Sequence, residues 1–219
     1  MERSDIINQI IKHHGFETYL EIGVAHPERC FDKIEVKVKH SVDPGIEVPE
    51  KVAMFPLTSN DFFSSLEEGK LELDPNYKWD VIFIDGLHLC DQVELDAINA
   101  FNHLSERGYI IFHDCSPPTV HHAREDYSDK STPAGWLWNG TTWKAIQKLR
   151  QGKIISGSID IVTVNEDWGC TVLRKGNFDT YVFDPSYNQF YEFYKFDERR
   201  KEILNLISSS EFTEWLNKR

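Results

Sequence analysis

Four short runs in this 219-residue chain end on side chains able to bind or activate a small molecule: Glu21-Ile22-Gly23, Asp43-Pro44-Gly45, Asp85-Gly86-Leu87-His88 and His113-Asp114-Cys115. An acid beside a glycine suits a cofactor with a cationic amino-acid tail, because glycine admits a close backbone approach and the carboxylate can order an ammonium directly or through water. Asp43 stands 22 residues beyond Glu21. That spacing puts an acid at the tip of a second strand, where a ribose diol can donate both hydroxyls. His88 and His113 have intrinsic pKa values suited to general-base work on an acceptor hydroxyl.

Such residues act together only if the fold brings them to one end of a sheet. Apolar runs bounded by turn residues alternate with helical patterns, which is the signature of a parallel sheet covered by helices. The expected order begins with a helix over 4–13, capped by Ser4 or Asp5 and carrying Ile6, Ile7, Ile10 and Ile11 on one face. Strands follow at 18–22, 39–42, 52–57, 80–84 and 109–112, with Gly108 as the turn into the last of these. Helices are expected over 27–34, from 59 to about 68 behind a Ser59-Asn60-Asp61 cap, over 90–104 and over 142–150. Residues 159–164 and 170–174 form two strands joined around Asn165-Glu166-Asp167, a link so short that it forces an antiparallel pair. Residues 116–140, rich in Pro, His, Gly and Trp, form a long loop or lid, and 177–219 an aromatic and then helical tail. In an open sheet of this type, ligands bind beyond the carboxyl ends of the strands. All four chemistry-bearing runs fall there.

Composition narrows the partners. A formal net charge of −12 argues against a broad phosphate-tracking surface and hence against a nucleic-acid partner. No apolar run approaches the roughly 20 residues of a bilayer span, so no membrane association is expected. The first dozen residues lack a signal peptide's apolar core, and Cys30, Cys90, Cys115 and Cys170 have no CxxC pairing. A cytoplasmic protein with reduced thiols is expected. A dinucleotide enzyme would want GxGxxG, which the chain lacks.

The strand ends Leu20-Glu21-Ile22-Gly23, Val42-Asp43-Pro44-Gly45, Phe83-Ile84-Asp85-Gly86-Leu87-His88 and Gly108-Tyr109-Ile110-Ile111-Phe112-His113-Asp114 resemble class I S-adenosylmethionine (SAM)-dependent methyltransferases over about residues 15 to 175. The chain is most similar to a bacterial branch associated with sugar or surface-polysaccharide modification. That branch carries IDG-x-H and HDC motifs and a Trp-rich segment like Trp138-Asn139-Gly140-Thr141-Thr142-Trp143-Lys144-Ala145. The resemblance implies a Rossmann-like α/β fold, with a mostly parallel seven-stranded sheet, an antiparallel last strand and helices on both faces. Residues 1–176 would form the SAM-binding domain and 177–219 an extension packed on it.

By the same resemblance Glu21, Gly23 and Val24 line the methionine end of SAM, Asp43 holds the ribose, Asn60 and Asp61 reach the adenine, and Asp85 borders the cofactor. The family's glycine-rich loop continues with a further glycine, where this chain has Ala25-His26-Pro27-Glu28. Asp85, His88, His113 and Asp114 would face the acceptor, a hydroxyl of a small polar molecule such as a sugar or sugar-linked group. Some relatives hold a divalent cation such as Mg between carboxylates at the Asp85 and Asp114 positions; Cys115, where those relatives have an amide, is a poor ligand for a hard ion. Metal-free catalysis by His88 or His113 is the alternative. His13-His14 and His121-His122 lack companion ligands and suit solvent or loop roles, while Trp136, Trp138 and Trp143 suit a lid or a sugar-stacking face. A homodimer is compatible with this reading. The competing readings are a non-catalytic SAM- or nucleotide-binding module and another Rossmann-like enzyme acting on nucleotide-sugars.

Overall fold

The structure is a computed structural model that describes residues 1–50, 53–155, 157–176 and 183–218. The chain divides into two compact units, Met1–Leu87 with Leu95–Ile111, and His88–Glu94 with Phe112–Arg219.

The first unit opens with α1 (Arg3–His14), whose N-cap is Glu2 rather than Ser4 or Asp5. Asp5 contributes from inside the first turn, its Oδ2 accepting the Glu2 N–H at 2.8 Å. Gly15 ends the helix in the left-handed conformation. Ile6, Ile7, Ile10 and Ile11 are buried as the pattern requires, each contributing about 1.5–3 kcal/mol. β1 (Thr18–Ile22) pairs in parallel with β2 (Val38–Val42) on one side and β3 (Trp79–Ile84) on the other. β4 (Leu104–Phe112) completes the order β2-β1-β3-β4. Gly108 lies inside β4 instead of opening it.

Between β1 and β2 the expected single helix is two short 3-10 turns, Pro27–Arg29 and Phe31–Lys33. Cys30 separates them by leaving the helical region at φ −139° while burying its side chain. The strand expected at 52–57 shrinks to one parallel bridge, Val42 to Phe55; Val52 lies outside the described residues. Phe55 donates to Ser41 O and accepts from Asp43 N, but the next donor on that side, Leu57 N–H, turns back to Phe55 O at 2.9 Å and the ladder stops. α2 (Ser59–Glu67) and α3 (Cys90–Asn102) complete the helices that begin before β4. Buried Trp79 anchors the edge, donating its Nε1 hydrogen to His40 Nδ1 at 3.0 Å. Burial lowers the His40 pKa, which keeps that ring nitrogen an acceptor.

The second unit holds α4 (Thr142–Arg150), β5 (Ile159–Val164), β6 (Cys170–Lys175), α5 (Phe193–Glu198), α6 (Arg200–Leu204), β7 (Leu206–Ile207) and α7 (Ser209–Leu216). β5 and β6 are antiparallel, Ile159 opposite Lys175 and Val164 opposite Cys170, as the short link between them demands. β7 adds in parallel on the other side of β5, giving β6-β5-β7. Seven strands thus occur among the described residues. The seventh, however, is Leu206–Ile207 from the tail and not a strand at 52–57. Arg174 pairs with Asp160 at 2.9 Å in the buried interior, with its guanidinium 3.9 Å from the centre of the Trp215 ring. Among the described residues, no helix is long and apolar enough to cross a membrane.

Candidate active site

Strand register decides which groups share an end of the first unit. Ile22 lies opposite both Val42 and Ile84, so Gly23, Asp43 and Asp85 follow at three neighbouring strand ends. Asp43 closes this end: its Oδ2 accepts the Val24 N–H at 2.8 Å and its Oδ1 the Gly45 N–H at 2.7 Å. Each carboxylate oxygen retains a further lone-pair direction. The half-buried Asp43 carboxylate, fixed by two backbone donors, therefore fits a ribose diol. Gly23 sits at φ 89°, and a Cβ there would stand 2.2 Å from Asp85 O. The approach of the β3 end already requires glycine at this position.

Glu21 is 3% exposed, and its Oε2 accepts the Tyr19 hydroxyl at 2.5 Å. Burial pushes its pKa up to about 8, against the Tyr19 hydrogen bond that favours the anion; Asp85 raises it further. Glu21 is therefore mostly a neutral acid at pH 7, and its place in a cofactor site is behind the strand end, supporting it. Arg3 of α1, which sequence reasoning missed, pairs with Asp85 Oδ2 at 2.7 Å. That guanidinium is a counter-ion for the Asp85 carboxylate. Asn60 and Asp61 are exposed on the first turn of α2, and Thr58 is the N-cap. Thr58 Oγ1 accepts from Asp61 N at 3.2 Å and donates to Asp61 Oδ2 at 2.7 Å, so Asp61 has a capping task of its own.

In the second unit the chain returns from β4 through His113 and Asp114, the latter at φ 59°. Asp114 gathers three partners: Asn139 Nδ2 donates to its Oδ1 at 2.7 Å, while His113 Nδ1 and His88 Nδ1 stand 3.1 and 3.3 Å from its Oδ2. His88 in turn stacks on Trp138, with ring centroids 5.2 Å apart and planes at 21°. Its backbone is held as well, since the Thr141 N–H donates to His88 O at 2.7 Å. Gly140 takes φ 62°, and a Cβ there would stand 2.1 Å from His88 O. Asn139 and Gly140 thus serve the two histidine-bearing runs, and the Trp138-Asn139-Gly140 string was the available signal.

The two histidines separate in role. His113 is 3% exposed, and its Nε2 lies 3.4 Å from Asp167 Oδ1, so both ring nitrogens face carboxylates. His88 is the more open ring, with only Nδ1 directed at Asp114. Residues 116–140 are tied by Arg124, which donates to the carbonyls of His121, Gly135, Leu137 and Asp126. Trp136 is 81% exposed, whereas Trp143 is buried. His14 and His122 are used locally, against the Tyr109 and Thr119 hydroxyls at 2.8 and 2.9 Å. All four cysteines are buried and unbridged.

Residues 12–115 match a family described as a methyltransferase domain. No curated protein matches the sequence. Among solved structures, the chain is similar to the O-methyltransferase TomG from Streptomyces achromogenes, involved in tomaymycin synthesis and solved with SAM, at TM-score 0.51, 10% identity and 80% coverage of each chain. It is also similar to a protein from Klebsiella pneumoniae described among the O-methyltransferases, at TM-score 0.50, 12% identity and 80% of each chain. An O-methyltransferase from Bacillus cereus, in complex with SAH, aligns at TM-score 0.48 and 13% identity over 79% of this chain and 80% of its own. The fold is thus the Rossmann-like one of those solved structures, and residues 12–115 are similar to a methyltransferase domain.

Proposed function

We propose that the chain is a SAM-dependent O-methyltransferase whose general base is His88, acting on a hydroxyl of a small polar acceptor such as a sugar or sugar-linked group in surface-polysaccharide biosynthesis. The observation that carries the reading is the His88–Asp114–Asn139 arrangement, a ring nitrogen backed by an oriented carboxylate. When bound, SAM supplies a sulfonium-activated methyl group. Asp43 accepts the ribose hydroxyls, and the Val24 N–H, already tied to Asp43, keeps the loop after β1 in place. Glu21 supports that strand end from the interior, and Gly23 lets the ends of β1 and β3 close up. Asn60 and Asp61 stand at the start of α2 as the adenine-side candidates.

On the acceptor side, His88 Nδ1 stands at ion-pair distance from Asp114 Oδ2, and the His88 ring is the proposed proton acceptor for the hydroxyl. The ring takes the proton as oxygen attacks, and Asp114 stabilises the imidazolium that results. His113 acts as a positioning residue by holding Asp114. Support for a sugar comes from aromatic faces, Trp138 stacked beside His88 and Trp136 turned outward on the same loop. Arg3 at Asp85 favours the metal-free route over a Mg-assisted one. The proposal places the protein in the cytoplasm, with four buried unbridged thiols in support, and treats 177–219 as an extension of a 1–176 cofactor domain.

Calorimetry with SAM, followed by methyl-transfer assays on candidate glycans, tests the reading. Saturable binding and transfer are expected. Binding without turnover on any hydroxyl acceptor would instead favour a non-catalytic SAM-binding module.

A further inference from the structure

The arrangement around the tip of the β5–β6 hairpin is not explained by methyl transfer. A ring nitrogen of His113, a carboxylate oxygen of Asp167 and Cys170 Sγ all lie within 4.8 Å of one another, with His113 Nε2 3.4 Å from Asp167 Oδ1. We propose that His113, Asp167 and Cys170 form a binding site for a zinc-class transition metal ion. The inference does not depend on the methyltransferase reading.

Geometry supports it first. Donor atoms in a tetrahedral zinc site with bonds of ~2.0–2.3 Å lie about 3.3–3.6 Å apart. The His113–Asp167 separation is 3.4 Å, and the sulfur needs to close by no more than about 1.5 Å to join them. His113 also carries a carboxylate on its far side, Asp114 Oδ2 at 3.1 Å from Nδ1. A metal-bound imidazole characteristically donates its other N–H to such a carboxylate, which fixes the ring and raises its basicity.

Backbone conformation supports it next. Asp167, Trp168 and Gly169 take φ of 44°, 65° and 88° in succession. Left-handed conformations at the two non-glycine positions cost about 1–3 kcal/mol each, so the surrounding structure must hold this tip in place. It does so through Cys115 N–H to Gly169 O at 3.0 Å and Ser116 N–H to Trp168 O at 2.8 Å. The result turns Asp167 and Cys170, three residues apart, toward one imidazole.

Chemistry selects the ion. Thiolate, imidazole and carboxylate together suit zinc or a neighbouring transition metal, and a thiolate disfavours magnesium and calcium. A neutral imidazole, one carboxylate and one thiolate carry two negative charges, which cancel those of the dication and spare the buried site a net charge. Binding would transfer the Cys170 thiol proton to solvent. Three protein ligands leave a fourth position for water or another small donor.

Cobalt(II) titration of the chelator-stripped full chain, followed by zinc, tests the proposal without cofactor or acceptor. One cobalt ion per chain is expected, with a thiolate-to-cobalt charge-transfer band that zinc abolishes. Cys170→Ser should lose the band and Cys115→Ser should keep it. Asp167→Asn, altering a partly exposed side chain, should retain the fold by circular dichroism while weakening cobalt at least about ten-fold, which keeps the test decisive if Cys170→Ser does not fold. A wild-type chain with no saturable band, a band surviving in folded Cys170→Ser, or undiminished affinity in Asp167→Asn would overturn the site.

Discussion

His88 Nδ1 lies 3.3 Å from Asp114 Oδ2, and Asn139 holds the other carboxylate oxygen from 2.7 Å. The contact would supply a counter-charge to an imidazolium if His88 takes the acceptor's proton, as proposed. His88→Gln and Asp114→Asn should each lower kcat for methyl transfer by about 10²–10⁴-fold. SAM affinity should stay within a few-fold of wild type. Equal losses in binding and turnover, measured by calorimetry beside steady-state kinetics, would show a role in the cofactor site instead.

Glu21 carries a pH dependence whose sign follows from its burial. Its pKa is near 4.5 when exposed and about 8 in the folded chain, so between those values the folded state holds a proton the unfolded state has lost. Stability therefore falls as pH rises from 4.5 to 8, by up to about 5 kcal/mol from this group alone. Glu21→Gln keeps the acceptor for Tyr19 and removes the titration. The mutant should show a flatter Tm against pH and a higher Tm than wild type at pH 8. Parallel curves for the two proteins would refute the assignment.

Two glycines pressed against backbone carbonyls should resist the smallest side chain. Gly23→Ala places Cβ 2.2 Å from Asp85 O, and Gly140→Ala places it 2.1 Å from His88 O, both at positive φ. Each substitution should cost about 3 kcal/mol or more in denaturant unfolding. Gly140→Ala should also reduce turnover, because it displaces the backbone of the proposed base.

Magnesium should be dispensable. Arg3 already neutralises Asp85 at 2.7 Å, so initial rates with and without added magnesium should agree within two-fold. An absolute requirement for the ion would contradict the metal-free route.

Much of this architecture was legible because it rests on local pattern. The isoleucine face of α1, the buried run of β3 and the forced antiparallel β5–β6 pair are each set by periodicity or link length. The strand expected at 52–57 is reduced to one bridge where Leu57 N–H turns back to Phe55 O, and β7 escaped notice because two residues carry no periodicity. Among the site residues, Asp43, His88 and Asp114 were visible as strand-end polar groups. Arg3, Asn139 and Asp167 were not, since each meets its partner across 25 or more residues of chain. The neutral state of Glu21 was equally hidden, because it depends on burial that one-dimensional spacing does not report.

The central claim, a SAM site built on Asp43, is tested most directly by calorimetric titration of SAM into wild type and Asp43→Ala. The account predicts one-to-one binding that weakens at least ten-fold in the mutant, a loss of about 1.4 kcal/mol or more. Unchanged affinity in a folded Asp43→Ala protein, or no SAM binding by the wild type, would contradict it.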